Sequence, residues 1–392
     1  TNYELRTANY GMSVLVTGGA GFIGSHVVDL LLADGVEVTV LDNLDPQVHG
    51  EHVVLEEGLP PNLARHAGRS SLRFLRGDVR EAADVERALE GVDAVVHLAA
   101  AVGVGQSMYA PHYYTDVNVG GQGRLMEAMA ASPERYRKLE VASSMSIYGE
   151  GAYRCPEHGV VEVRPRPESQ LARGEWEPRC PECGASLVAV ATPESKPTQH
   201  TSVYAVTKKS QEELALSFGP AYGIGTVALR FFNVYGSRQA LSNPYTGVAA
   251  IFMSRLKNGN PPLIFEDGEQ SRDFIHVSDV ARAVRAALDA PERVSGAFNV
   301  CTGRRTAVVE VARALARRLG VDVAPEVVGR YRAGDIRHCY GDPAAAAELL
   351  QFRAEVDFEA GLDELLAWAE AQEAEDRVVG SFEELEGRGL VR

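Results

Sequence analysis

Apolar and polar positions follow two alternating rhythms along the first half of the chain. "MSVLVTGGAGFIGSHVVDLLLADGVEVTVLDN", from Met12 on, opens with a short β-branched apolar run that breaks at a Gly-rich turn. Helical spacing then runs from Ser25 to Ala33, and a second apolar run spans Glu37 to Leu41. The pattern predicts a βαβ unit. It repeats: "LRFLRGD" reads as a strand, "AADVERALEG" as a helix and "DAVVHLAA" as a buried strand. "VNVGGQGRLMEAMAAS" reads as a helix and "KLEVASSMSIYG" as a strand. Strands alternating with helices predict an α/β chain with a doubly wound parallel sheet.

After position 232 the alternation loosens into Pro/Gly-rich loops near 237–247 and 258–270, and helices return at 278–289 and 306–319. The chain therefore divides into a first lobe at 12–232 and a smaller C-terminal α/β lobe at 233–392, with about 273–300 returning to the first lobe. Residues 1–11 read as an extension or tag. From Gly149 to Ser202 there are several prolines and no period. Structureless loops beyond ~12–15 residues are uncommon in compact domains, so this insert needs its own means of staying folded.

The net charge of −15 argues against a nucleic-acid partner, whose phosphates require a basic surface. No apolar run is long enough to span a bilayer, and the start lacks the apolar core of a signal peptide. Five cysteines, three of them clustered, suit a reducing cytoplasm with a metal site better than a disulfide framework.

Two constellations carry chemistry. In "TGGAGFIG", Gly18, Gly21 and Gly24 follow a strand and open a helix, with Phe22 and Ile23 between the last two. That is the context of a dinucleotide fingerprint, whose helix N-terminus faces a pyrophosphate. Asp42, followed by Asn43, ends the second strand, where a carboxylate accepts from ribose hydroxyls and repels a 2′-phosphate, favouring NAD over NADP. The second constellation is Ser144, at a strand end, with Tyr204 and Lys208 one helical turn apart in "YAVTK". A nearby ammonium and an oxidised nicotinamide lower a phenol's pKa and let it act as a base. Alone, Y-x-x-x-K is usually a solvated helix pair; its weight here comes from following the fingerprint and "SSMSIYG".

With "VTGGAGFIGSH", "LDNL", "RGDVR", "HLAA", "SSMSIYG", "YAVTK", "LRFFNVYG", "SRDFIHVSDVA", "FNVCTG" and "GDIRH", the chain resembles the extended short-chain dehydrogenase/reductases that modify nucleotide sugars. The resemblance spans nearly all of residues 12–370. It implies a Rossmann-type NAD-binding lobe and a smaller lobe for the nucleotide diphosphate. It also implies Asp78 and Val79 near adenine, Leu98, Ala99 and Ala100 along the cofactor, Asn118 on the adjacent helix and Phe232 beside the nicotinamide. On the substrate it implies Ser144, Ser146 and Tyr204 at the sugar, Asn233 and Arg272 at the diphosphate, Phe265 under the base, and Arg332 with Asp335 closing a phosphate and ribose clamp. A basic fork matches phosphate oxygens and an aromatic face suits a nucleobase, although Phe265 also fits plain core packing. The helices after Tyr113 and Tyr204 imply a homodimer through a four-helix bundle.

Within the resembled family, dehydratases place Asp and Glu just after the serine, and 3,5-epimerases a Cys. Here those positions are Met145 and Ser146. That leaves 4-epimerisation through a transient 4-keto sugar. "ALSNPYTGVAAIF", "LIFEDGEQSRDFIHV" and the insert resemble the subgroup acting on dTDP-L-rhamnose, forming dTDP-6-deoxy-L-talose; a UDP-hexose or UDP-hexuronate is the alternative. A non-catalytic NAD-binding regulator would usually have lost Tyr204 or Lys208.

The insert, taken as 151–198, carries Cys155-Pro-Glu-His158 and Cys180-Pro-Glu-Cys183. Two such knuckles about 20 residues apart have zinc-ribbon spacing, and a Cys₃His set is closed, hence structural. Zinc would hold the insert folded in place of a core it is too small to build. The competing reading is a relic knuckle with free thiols. Cys301 and Cys339 read as packing residues.

Overall fold

The computed structural model describes residues 11–245, 247–332 and 334–392; the extension lies almost wholly outside them. The apolar runs of the first lobe form β1 (Ser13–Thr17), β2 (Glu37–Asp42), β3 (Leu72–Arg76), β4 (Ala94–His97), β5 (Lys138–Ser144) and β6 (Gly225–Phe231). A seventh strand, β7 (Gly296–Val300), joins them from the second half of the chain. All pair in parallel, in the order β7-β6-β5-β4-β1-β2-β3. This is the Rossmann order 3-2-1-4-5-6 with one strand added. In β1, Val14 and Val16 face one buried cluster and Leu15 the other, as a sheet covered on both sides requires.

Three helices matter most for the site. Phe22–Ala33 (α1) packs on one face against Val277–Asp289 through Val27, Val28, Leu31, Val280 and Val284. Val203–Tyr222, on the other face, is capped by Ser202, whose side chain accepts from the Ala205 N–H, and ends on left-handed Gly223. The helix expected from Val117 instead starts at Pro111, passes a π-helical turn at Asp116–Gly120 and continues as Gly121–Ala130. Proline at the first helical position sets that earlier start. The strand expected to reach Tyr148 stops at Ser144, and Met145–Tyr148 form one 3₁₀ turn. Among the described residues, no helix is long and apolar enough to cross a membrane.

The second core gathers helices Val248–Lys257, Val308–Leu319 and Phe358–Glu370 around Phe252, Met253, Leu315 and Leu362. The insert, which showed no period, is a three-stranded antiparallel sheet: Ala152–Cys155 pairs with Gly159–Val161 on one side and Val188–Val190 on the other. Its core is small, built on Tyr153, Cys155, Val163, Cys180 and Leu187. A final helix, Val378–Gly387, lies across the mouth of the second lobe.

Candidate active site

A cavity of about 370 Å³ opens where the strand order reverses, between β1 and β4. Gly18 (φ +70°) turns the chain there, and a Cβ on it would stand 2.8 Å from the Ala99 backbone nitrogen. A Cβ on Gly24 would stand 2.1 Å from the Gly18 carbonyl. The first glycine gives the tight turn and the third the close packing, so the α1 N-terminus faces an open, backbone-lined cradle. Asp42 is buried beneath it and accepts from the N–H groups of Ala20 and Leu44, both at 3.0 Å. Phe22, Ile23, Asn43, Val79, Leu98, Ala100 and Phe232 line the same cavity. So does Asp78, which accepts from Arg80 and from Asn43; the Arg80 hydrogen bond chiefly holds its carboxyl down at about 2. Asn118 does not line it. It is fully buried, accepting from the Ala101 N–H (2.7 Å) and donating to the Ala101 carbonyl and Thr207 Oγ1. It ties the strand-end loop to the helix bearing Tyr204.

Ser144, Tyr204 and Lys208 meet at the inner end of this cavity. Burial pushes the Tyr204 phenol up, and the Ser144 hydroxyl hydrogen-bonded to it pulls it back. Burial also lowers the Lys208 ammonium to about 7. Lys208 Nζ donates to Gln211 Oε1 (2.8 Å), and Gln211 Nε2 lies 3.3 Å from His97 Nε2. Burial holds His97 neutral, with its pKa down at about 3. Gln211 and His97 thus fix the lysine, a role the sequence signals only as an i, i+3 spacing on one helix.

A second cavity of about 360 Å³ adjoins the first, sharing Asn233, Tyr245, Gly247 and Val248 with it. Ser146, Phe265, Arg272, Arg332 and Asp335 all line it. Arg272 reaches to 3.5 Å from Asp335 and is braced by the Ile336 carbonyl (2.7 Å). Arg332 lies over the Phe265 ring, 4.2 Å from its centroid. Asn233 Oδ1 and Gln270 Oε1 are buried here without a protein partner. Orphaned polar atoms inside a cavity fit a polar ligand. Sequence reasoning missed Gln270, Tyr245 and the final helix. From that helix Phe382 stacks on Phe265 (5.6 Å, 28°) and Leu385 lines the wall.

Elsewhere, the side chains of Cys155, His158, Cys180 and Cys183 converge, their candidate ligand atoms all within 4.8 Å of one another. Cys155 Sγ is 3.5 Å from His158 Nδ1 and 3.7 Å from Cys183 Sγ, and Cys180 Sγ is 3.7 Å from His158 Nδ1. Each knuckle closes on a left-handed glycine, Gly159 (φ +70°) and Gly184 (φ +72°).

The profile of the family described as "NAD dependent epimerase/dehydratase family" matches residues 14–170 and 183–301. A dTDP-L-rhamnose 4-epimerase of Burkholderia thailandensis is 32% identical over 360 residues, 91% of this chain and 95% of that protein. The UDP-glucose 4-epimerase of Thermus thermophilus, solved in complex with NAD, superposes with a TM-score of 0.69 at 31% identity, covering 92% of this chain and 100% of that one. The UDP-glucuronic acid 4-epimerase of Bacillus cereus, solved with UDP-glucuronic acid and NAD, gives 0.73 at 25% identity, covering 92% and 99%. With the fingerprint glycines, Asp42 and the Ser144–Tyr204–Lys208 cluster on one cavity, the chain belongs to the NAD dependent epimerase/dehydratase family.

Proposed function

We propose that this protein, an NAD-dependent nucleotide-sugar 4-epimerase, acts on dTDP-L-rhamnose and interconverts it with dTDP-6-deoxy-L-talose. The observation that carries the reaction type is the lack of a carboxylate at the two positions beyond Ser144, which line the second cavity. Among the described residues lining the second cavity, Asp335 is the one carboxylate, and it faces Arg272. Met145 and Ser146 occupy the positions beyond Ser144 and offer no carboxylate. Elimination, or inversion beside a carbonyl, needs a second proton-transfer group; inversion at one carbinol needs only the phenol.

NAD, when bound, accepts a hydride from the sugar and returns it. Tyr204 takes the C4-hydroxyl proton and gives it back. Ser144 holds that oxygen, and Lys208 stabilises the phenolate. Asn233 and Arg272 hold the diphosphate while the sugar turns, and Phe265 with Arg332 receives the base. Val104, Met108 and Met145 wall the cavity next to Tyr204, whose N–H donates to Ser107 Oγ at 3.0 Å. Apolar walls suit a C6 methyl better than a hexuronate carboxylate, which would need a cation there. The similarity to the Burkholderia enzyme supports the same sugar. Incubation with dTDP-L-rhamnose, UDP-glucose and UDP-glucuronate, followed by NMR at C4, tests this. Inversion of dTDP-L-rhamnose is expected, and faster turnover of either UDP sugar would overturn the substrate assignment.

The insert holds one structural zinc. For bonds of ~2.3 Å to sulfur and ~2.0 Å to nitrogen, tetrahedral edges are about 3.8 Å between sulfurs and about 3.5 Å between sulfur and nitrogen. The observed separations of 3.5–3.7 Å fit both. Four protein ligands leave no open position for substrate. The chain assembles as a homodimer through the outer faces of Gly121–Ala130 and Val203–Tyr222, where Val206 and Leu214 stand exposed.

A further inference from the structure

Among the contacts between the insert and the second lobe is an ionic network centred on buried Arg337, and that network ends on the wall of the nucleotide cavity. Glu177, three residues before Cys180, accepts from Arg337 Nε (2.8 Å) and Nη2 (2.6 Å), and its other oxygen lies 3.0 Å from His338 Nε2. Burial alone would raise the Glu177 carboxyl, but His338 and Arg337 outweigh it and hold it near about 2. Arg337 is almost wholly enclosed, and its far side donates to Glu266 (3.0 Å) and Asp267 (2.6 Å). Those two residues directly follow Phe265. Glu266 sits at φ +53°, a left-handed backbone that a non-glycine residue keeps only when its surroundings over-determine it.

Two further strands of contact run the same way. Arg166 of the insert pairs with Glu266 (2.8 Å) and donates to the Asp335 carbonyl (3.0 Å) and the Trp176 carbonyl (3.0 Å). Glu150, at the insert's entry, accepts from the Arg337 N–H at 2.9 Å. The Arg337 carbonyl in turn accepts from Arg272. These contacts, made by Arg166, Glu177 and the entry residue Glu150, lead to Phe265, Arg272 or Asp335, whereas the insert's other arm packs on the sheet, Glu194 on Asn299 and Arg230 and Lys196 on the Tyr148 carbonyl. The family profile skips residues 171–182, the stretch that holds Glu177 and Cys180, while Glu150, Arg166, Glu266 and Asp267 lie within the matched residues.

We propose that the metal-bound knuckle is a positioning device for the nucleotide: through Glu177 and Arg337 it fixes the Phe265–Asp267 turn, so metal occupancy sets affinity for the nucleotide sugar and leaves the hydride step alone. This rests on the zinc reading above. Glu177 is a positioning residue; it lines neither cavity.

The test uses the full-length holoenzyme and four variants: Cys180→Ser with Cys183→Ser, Glu177→Ala, their combination, and Glu177→Gln. Calorimetric Kd for dTDP and for UDP, KM and kcat, zinc content and NAD content are measured for each. Losing the metal, or Glu177, should raise KM and the Kd for dTDP about tenfold, the equivalent of one charge-assisted hydrogen bond. The kcat and NAD content should not move. Glu177→Ala should retain zinc, and Glu177→Gln, which keeps an acceptor toward Arg337, should recover part of the loss. In the zinc-free background Glu177→Ala should add nothing, because the two act on one path. Wild-type protein without zinc would overturn the metal reading and this coupling with it. Zinc in the wild type, with unchanged Kd for both nucleotides after its removal, would overturn the coupling alone. A fall in kcat or NAD content in place of the KM rise would assign the insert to global folding and overturn it as well.

Discussion

The two cavities adjoin, yet they are built by opposite means. The cofactor cavity is made of backbone. Gly18 and Gly24 allow the tight turn and the close helix packing only because they lack side chains, and five parallel strands hold the surrounding elements in register. The nucleotide cavity is made of side chains drawn from separate segments: the turn after Ser144, the loop at Pro244, Phe265–Arg272, Arg332 with Gly334, Asp335 and Ile336, and the final helix. Its walls are guanidinium and aromatic contacts, and behind them Arg166 and Glu177 of the insert pair with Glu266 and Arg337. A wall of backbone fails all at once when a Cβ intrudes, whereas a wall of stacked side chains loses affinity by degrees.

The sharpest break falls where the two walls meet. Tyr204→Phe removes the proton acceptor without altering either wall. Epimerisation should drop about a thousandfold, within the range assigned to a positioned acid–base group. NAD content and the Kd for dTDP should be those of the wild type. Residual turnover near the wild-type rate would show that the base lies elsewhere, which would remove the reason for placing the sugar end beside Ser144.

Lys208 tests the cofactor side in the absence of ligand. Its ammonium is lowered by burial to about 7, from 10.5 in the free side chain. Between those values the unfolded chain holds a proton that the folded chain has released. Stability from this group therefore rises with pH across that window and is lost as pH falls toward 7. One proton corresponds to about 1.4 kcal/mol per pH unit. Lys208→Met removes the titration but keeps the stem. Denaturant unfolding from pH 7.5 to 9.5 should show the wild type gaining stability relative to Lys208→Met as pH rises. Parallel curves would mean that Lys208 stays charged in the folded protein, and would remove the argument that its burial matters.

The same contrast explains what could be read without coordinates. The fingerprint is one uninterrupted stretch following a strand, so Gly18, Gly21, Gly24 and the βαβ unit could be named directly, as could Tyr204 and Lys208 on one helix face. Asn118 was placed near the cofactor by resemblance, but whether it touches a ligand or braces Ala101 depends on a rotamer that no periodicity encodes. The insert's four clustered side chains, Cys155, His158, Cys180 and Cys183, were visible from knuckle spacing, while its strands were not. They are three and four residues long, too short to show alternation, and close on only a small core. Phe382 and Leu385 were invisible because they reach the site from the far end of the chain, over a hundred positions from Phe265. A sequence pattern reports the face a helix buries, not the distant residue it meets.

That distant helix gives the smallest and most discriminating effect. Phe382 stacks on Phe265 with ring centroids 5.6 Å apart, Arg330 lies 4.6 Å from the Phe382 centroid, and Arg332 covers Phe265 at 4.2 Å. If Phe382 is a wall of the base slot, Phe382→Ala leaves Phe265 without its stacked neighbour and lets water into the cavity. An aromatic pair of this geometry contributes ~0.5–1.5 kcal/mol beyond its buried area, so KM for the nucleotide sugar should rise about fivefold. The kcat and NAD content should be untouched, since the helix lines only the second cavity. Phe382→Leu, which keeps an apolar side chain but no ring, should fall between the two. Glu177→Ala and Phe382→Ala reach Phe265 from opposite sides without sharing a contact, so their effects on KM should multiply. A lower KM in Phe382→Ala would mean that the ring occupies the slot the base needs, and that the final helix competes with the nucleotide instead of sheltering it.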